Sequence, residues 1–114
     1  MKENKNTEEL LKVIQSQLES DKIESISTFD VRNKSSITSY VIICTGTSAK
    51  HISASAEKLA DKVEEFFGEP LNIGMEGKNK SANWILVDLN DIMVHLFTAD
   101  ARDNYNLEEF LIKR

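Results

Sequence analysis

At 114 residues and a net charge of −5, the chain has room for one domain with a core of its own and not for two. Its 40% apolar and 29% charged residues are ordinary globular usage, and no apolar run approaches the ~20 residues of a membrane span. A single cysteine, Cys44, excludes an internal disulfide framework and a cysteine-based zinc cage; no apolar stretch follows Met1, so a secretory signal is not expected and a reduced cytoplasm is the expected location.

In chain order, Asn6 is placed to cap a helix over 7–20, with Glu9 completing a capping box and Leu10, Leu11, Ile14 and Leu18 at helical spacing. Residues 23–31 carry Ile26, Phe29 and Val31 among Ser and Thr and read as a strand near a sheet edge. Residues 32–36 read as a loop. Tyr40-Val41-Ile42-Ile43-Cys44 is a continuous β-branched apolar run, the pattern of a strand covered on both faces. The turn Thr45-Gly46-Thr47-Ser48 leads into a helix over about 49–67, with Ile52, Ala56, Leu59, Val63 and Phe66 on one face. Gly68 and Pro70 stop it. Leu71, Ile73 and Met75 alternate as a short strand, and 76–83 has no apolar period. Trp84–Leu89 and Ile92–Phe97 are two strands joined at Asn90-Asp91, residues that tolerate the positive φ a two-residue hairpin loop requires. The tail from about 99 to 112 reads as one or two short helical pieces.

That loop sets the hairpin register, Leu89 opposite Ile92 and Trp84 opposite Phe97. Side chains alternate along strands, so one face holds Ile85, Val87, Leu89, Ile92, Val94 and Leu96 and must be core. The other holds Trp84, Leu86, Asp88, Met93, His95 and Phe97. This mixed face is either a partner-facing surface or a second core with satisfied polar groups, and exposed aromatics favour the first. Trp84, the only tryptophan, is an efficient interface anchor; the alternative is a ring buried against the C-terminal helix. Glu76 joins it if the 76–83 loop folds back. Asp88 and His95 follow, then Asp91, about 17 Å away at the far end of the hairpin.

Residues 84–110 hold one base, Arg102, against six acids: Asp88, Asp91, Asp100, Asp103, Glu108 and Glu109. Such a surface is a poor binder of nucleic acid and suits a basic protein, unless the acids serve only solubility. Chemistry is hard to assemble. Gly46-Thr47-Ser48 lacks the further glycines and the Lys of a phosphate loop. No pair of acids follows it to hold magnesium, because the next residues are helix. Cys44 sits inside an apolar strand, His51 in the first turn of a helix, and His95 has no nucleophile beside it. No metal or cofactor site is expected.

Ser39-Tyr40-Val41-Ile42-Ile43-Cys44-Thr45-Gly46-Thr47-Ser48-Ala49-Lys50-His51 resembles the strand–turn–helix signature of the ribosomal silencing factor (Iojap) family. Glu76-Gly77, the run from Trp84 to Phe97, and Arg102, Tyr105, Asn106, Leu107 and Glu108 resemble its remaining motifs, so the likeness spans about residues 8–111. Ser39 stands where the family usually has Asp, Asn90 where its hairpin usually has Gly, and Phe110-Leu111 where its tail often has an apolar-Trp pair. The resemblance implies a single small α/β domain over residues 1–114, with a mixed sheet of about five strands flanked by helices, nucleotidyltransferase-like but without catalytic acids. It further implies a translation repressor, not an enzyme. Such a repressor binds the large (50S) ribosomal subunit at its fourteenth protein, blocks joining of the 30S subunit and often forms homodimers when free. The competing reading is a degenerate nucleotide-handling enzyme using Gly46, Ser48, Asp88 and Asp91.

Overall fold

The structure is a computed structural model and describes residues 5–36, 38–68, 73–77 and 83–109. Its elements are α1 (Lys5–Ser20), β1 (Glu24–Asp30), β2 (Tyr40–Gly46), α2 (Ala49–Phe67), β3 (Gly74–Glu76), β4 (Trp84–Asp88), β5 (Ile92–Thr98) and α3 (Ala99–Tyr105). The strands form one mixed sheet in the order β1-β2-β5-β4-β3. Neighbouring strands run antiparallel except β2 and β5, which are parallel from Tyr40↔Ile92 to Gly46↔Thr98.

The two faces of the sheet are covered differently. Ile42, Cys44, Ile85, Val87, Leu89, Ile92, Val94 and Leu96 point to one side. There they form the main core with Leu10, Ile14 and Leu18 of α1 and Ile52, Ala56, Leu59 and Val63 of α2. On the other side Val41, Ile43 and Phe97 pack with Val31 and with Ala101 of α3, bordered by Phe29, Trp84 and Leu107. The strand expected to be covered on both faces is so covered: Ile42, Ile43 and Cys44 are each 0% exposed. β1 lies at the sheet edge, as its Ser/Thr content suggests. A bulge between Glu24 and Ser27, with Ser25 at φ 52, breaks that edge.

Local signals place α2 as expected. Ser48 Oγ accepts from the His51 amide at the N-terminus, and Gly68 closes the other end in the left-handed region at φ 78. The hairpin register is Trp84↔Phe97 through Asp88↔Met93, as read from the loop. Only one loop residue, Asn90 at φ 72, takes positive φ.

Two details differ from the sequence reading. α1 begins at Lys5, so Asn6 lies within the helix and does not cap it. The short strand runs Gly74–Glu76, one residue beyond Met75, while Leu71 lies outside the described residues. The tail is in two short helical pieces, as read: α3 and 107–109, broken where Asn106 takes φ 49; Phe110 and Leu111 lie outside the described residues.

Candidate partner-binding face

The sheet register carries one side-chain row across four strands, from Glu76 on β3 through Leu86 and His95 to Ile43 on β2. Paired residues share a face. Asp88 and Met93 form the next row, with Val41. Trp84 and Phe97 form the row on the other side, with Thr45. Trp84, Glu76, Asp88 and His95 are thus on one face, the face opposite α1 and α2.

That face divides in two. Over β2 and the C-terminal end of β5, α3 covers it, and Phe97 is 0% exposed. Toward β3, Glu76 is exposed and Leu86, Asp88 and Met93 are half-buried. Neither Leu86 nor Met93 belongs to either hydrophobic cluster. The second core read as one alternative for the mixed face is present in the half under α3, and the other half is partly exposed.

Trp84 sits on the boundary. Its ring stacks on Phe97 at 5.0 Å and lies 4.6 Å from the ring of Tyr105 on α3. Its indole N–H donates to His95 Nδ1 at 3.0 Å. Burial pushes the His95 pKa down to about 4, so the imidazole is neutral at physiological pH. Accepting through Nδ1, it carries its proton on Nε2. Tyr105 is 58% exposed and extends the aromatic patch onto α3. The sequence reading passed over Tyr105 as a site residue; its signal was the spacing of Arg102 and Tyr105, one helical turn that places both at the sheet.

Glu76 reaches this face because Gly77 lets β3 close against β4. Gly77 has φ 84, and a Cβ there would collide with the Trp84 carbonyl oxygen. Only glycine satisfies both conditions. Asp88 is partly engaged at home, its Oδ1 accepting from the Asn90 amide at 2.9 Å to fasten the hairpin loop.

Asp91 is not brought to the others. It turns toward the helical layer, where Thr7 Oγ1 donates to its Oδ2 at 3.2 Å. Its carbonyl accepts from the Ser39 and Tyr40 amides at 2.7 and 3.1 Å, fixing the start of β2. The reason is the hairpin reversal itself: at the loop, alternation gives way and the side chain follows the turn.

The residues of the nucleotide-handling alternative do not converge. Gly46 pairs with Thr98 at one end of the parallel ladder, while Asp91 precedes Ile92 at the other, about 20 Å away at the strand rise. Ser48 is used as the α2 cap. His51 Nδ1 accepts from the Thr47 amide at 2.9 Å, and its Nε2 meets the Asp21 carbonyl at 2.7 Å. The ring therefore ties the α1–β1 connection to the α2 N-terminus. Cys44 is buried, with its thiol pushed up to about 12, which leaves it protonated and unreactive. Among the described residues, no three His, Cys, Asp or Glu side chains are grouped to hold a metal ion.

The residue whose role was missed is Arg102. Its guanidinium grips Glu108 through Nε and Nη2 at 2.9 and 2.7 Å. It also donates to the Ser25 carbonyl at 2.6 Å, Thr45 Oγ1 at 2.8 Å and Ser27 Oγ at 3.3 Å. One side chain thereby fastens α3 to β1 and β2 and holds Tyr105 against Trp84. The Glu108 hydrogen bonds raise the Arg102 pKa and lower that of Glu108.

This is a small α/β domain: a mixed sheet with one face buried under two helices and, among the described residues, half of the other left open, edged by aromatics and acids. A family model described as ribosomal silencing factor during starvation matches residues 4–113. The chain belongs to that family. It is similar to the ribosomal silencing factor of Haemophilus influenzae, 44% identical over 88% of this chain and 95% of that one. With the Zymomonas mobilis factor it shares 40% identity over 89% of this chain and 74% of that one. A crystal structure of a Chromobacterium violaceum protein superposes with a TM-score of 0.83 at 30% identity, over 91% of this chain and 84% of that one.

Proposed function

We propose that the protein binds the large (50S) ribosomal subunit at its fourteenth protein and occupies space that the 30S subunit needs. Translation is repressed under nutrient limitation by occlusion alone, without turnover, cofactor or direct recognition of nucleic acid. The setting is the cytoplasm, and the free protein is a homodimer. No described helix is long and apolar enough to cross a membrane.

The observation that carries this reading is the open half of the sheet face, with Trp84 and Tyr105 at one end, Asp88 and Met93 about 13 Å along the strands at the other, and Glu76 between them on β3. Aromatic anchors with an acidic rim fit a basic protein surface. The single base in 84–110, Arg102, is already committed to Glu108, so it does not offset the rim acids toward a partner.

The test is sedimentation with purified subunits. The protein is expected to pellet with 50S, to stay in the supernatant with 30S, and to reduce 70S formation when added first. Binding to 30S alone, or undiminished joining at saturating protein, overturns the reading. Calorimetry with magnesium and a nucleoside triphosphate is expected to give no heat of binding.

A further inference from the structure

His95 shares the candidate face with Trp84, but the two occupy different positions in it. The His95 side chain lies in the middle of the sheet, between Ile43 and Leu86 in the cross-strand row. Trp84 begins β4 at the rim of the face. Its indole is held on three sides: Phe97 stacks at 5.0 Å, Tyr105 leans on it at 4.6 Å, and His95 Nδ1 takes its N–H at 3.0 Å. The ring contacts are not directional about the N–H edge. The hydrogen bond is, because it fixes where the N–H edge points.

We infer that His95 is a positioning residue: it acts on the partner through Trp84, locking the indole so that Trp84 and Tyr105 present one rigid two-ring platform. The inference rests on the proposal that this face meets the ribosome, and it assigns His95 a role other than direct contact.

Three further observations agree with it. Burial keeps His95 neutral, with its pKa near 4, so the Nδ1 lone pair is available throughout the physiological range. The Trp84 N–H is already satisfied inside the chain, so the ring offers a partner its apolar surface and not a donor. Tyr105, 58% exposed, lies on α3, the helix that Arg102 fastens to β1 and β2. Fixing a side chain before binding removes an ordering cost that the complex would otherwise bear, up to about tenfold in affinity.

Two measurements test this. Long-range 15N–1H NMR of the wild-type protein at neutral pH is expected to show His95 protonated on Nε2 and bare on Nδ1. A ring protonated on Nδ1 overturns the lock. The second is a double-mutant cycle for 50S affinity, with folding checked by far-UV circular dichroism. His95→Phe keeps an aromatic ring without an acceptor and is expected to weaken binding about tenfold. His95→Gln, which keeps an acceptor, is expected to recover part of that loss. In a Trp84→Phe background, which has no N–H to hold, His95→Phe is expected to cost nothing more. An equal loss in both backgrounds makes His95 a direct contact and overturns the inference. The NMR measurement needs no ribosome. A protein that shows the expected tautomer yet ignores 50S therefore refutes the ribosomal reading and not the lock.

Discussion

Trp84 and Phe97 face each other across the β4–β5 ladder with rings stacked at 5.0 Å, yet Phe97 is fully buried and Trp84 is not. The boundary between second core and open surface therefore runs between two paired residues. Truncating each should separate the two roles. Phe97→Ala should cost about 3–5 kcal/mol of stability. Trp84→Ala should leave a folded protein whose 50S affinity falls by about 2 kcal/mol or more. Thermal melts and sedimentation read the two effects. A folded Trp84→Ala protein with normal 50S binding would move the interface elsewhere on the molecule.

Charge on the rim acts at longer range than the rings. Glu76→Lys and Asp88→Lys should weaken 50S binding more at low salt than at high salt, because screening removes the attraction they reverse. Asp88→Ala should leave stability almost intact, since it gives up one exposed loop hydrogen bond, worth about 1 kcal/mol. Val87→Asp and Val94→Asp, by contrast, should unfold the domain. Both positions are 0% exposed, and an unpaired carboxylate there costs several kcal/mol, of the order of total stability. Circular dichroism separates the cases.

Arg102 makes the α3 clamp a defined target. Arg102→Met removes the fork while keeping much of the apolar stem, and leaves Glu108 and the Ser25 carbonyl without their donor. We expect a loss of about 2 kcal/mol, below the range for fully buried pairs because Glu108 keeps 28% of its surface. Released α3 should also loosen Tyr105 from Trp84, visible in near-ultraviolet circular dichroism. A variant with unchanged melting temperature and an unchanged aromatic signal would refute the clamp.

Acid should weaken the fold before the carboxylates titrate. His95 has its pKa pushed down to about 4 by burial, against about 6.5 in an unfolded chain. Between those values the unfolded state binds more protons, so stability is full above pH ~6.5 and falls as pH drops toward 4. The titratable side chains sharing its sheet face are Glu76 and Asp88, with Tyr105 and the Arg102–Glu108 pair on the α3 side. Glu108, whose pKa is lowered, adds a second loss at lower pH. Chemical denaturation at stepped pH should show a decline from near 6.5 that His95→Gln flattens.

Gly77 should tolerate no side chain. Gly77→Ala meets both the left-handed backbone and the Trp84 carbonyl, a strain of about 1–3 kcal/mol. A shift in Trp84 emission with a lower melting temperature is the expected result. An alanine variant as stable as wild type would mean that β3 can close against β4 in another way.

The sequence was most legible where local chemistry and periodicity agree. Ser48 and Gly68 bound α2, the Tyr40–Cys44 run marks a strand buried on both faces, and Asn90-Asp91 sets a register that places Trp84 opposite Phe97. Asn6 misled because a residue type favoured at caps can also sit within a helix, as Asn6 does in α1. Arg102 was opaque for a different reason. Its acceptors Thr45, Ser27 and Ser25 lie 57, 75 and 77 residues away, and no local pattern encodes such a meeting. The Trp84–His95 bond was closer to readable, since the register already put both on one face. Asp91 illustrates the limit of that reasoning: face assignment by alternation ends where the strand ends.

The middle strand of the sheet, β5, is also the last strand in the chain. β2 cannot complete its pairing, nor β4 its hairpin, until Ile92–Thr98 has been synthesised. An emerging polypeptide therefore holds Ile42, Cys44, Ile85 and Val87 without the neighbour they pack against, and α1 and α2 with only part of a floor. Folding must then wait on contacts of long sequence separation, which places the chain among the slower small domains. The sheet that carries the candidate face is therefore complete only once β5 has emerged.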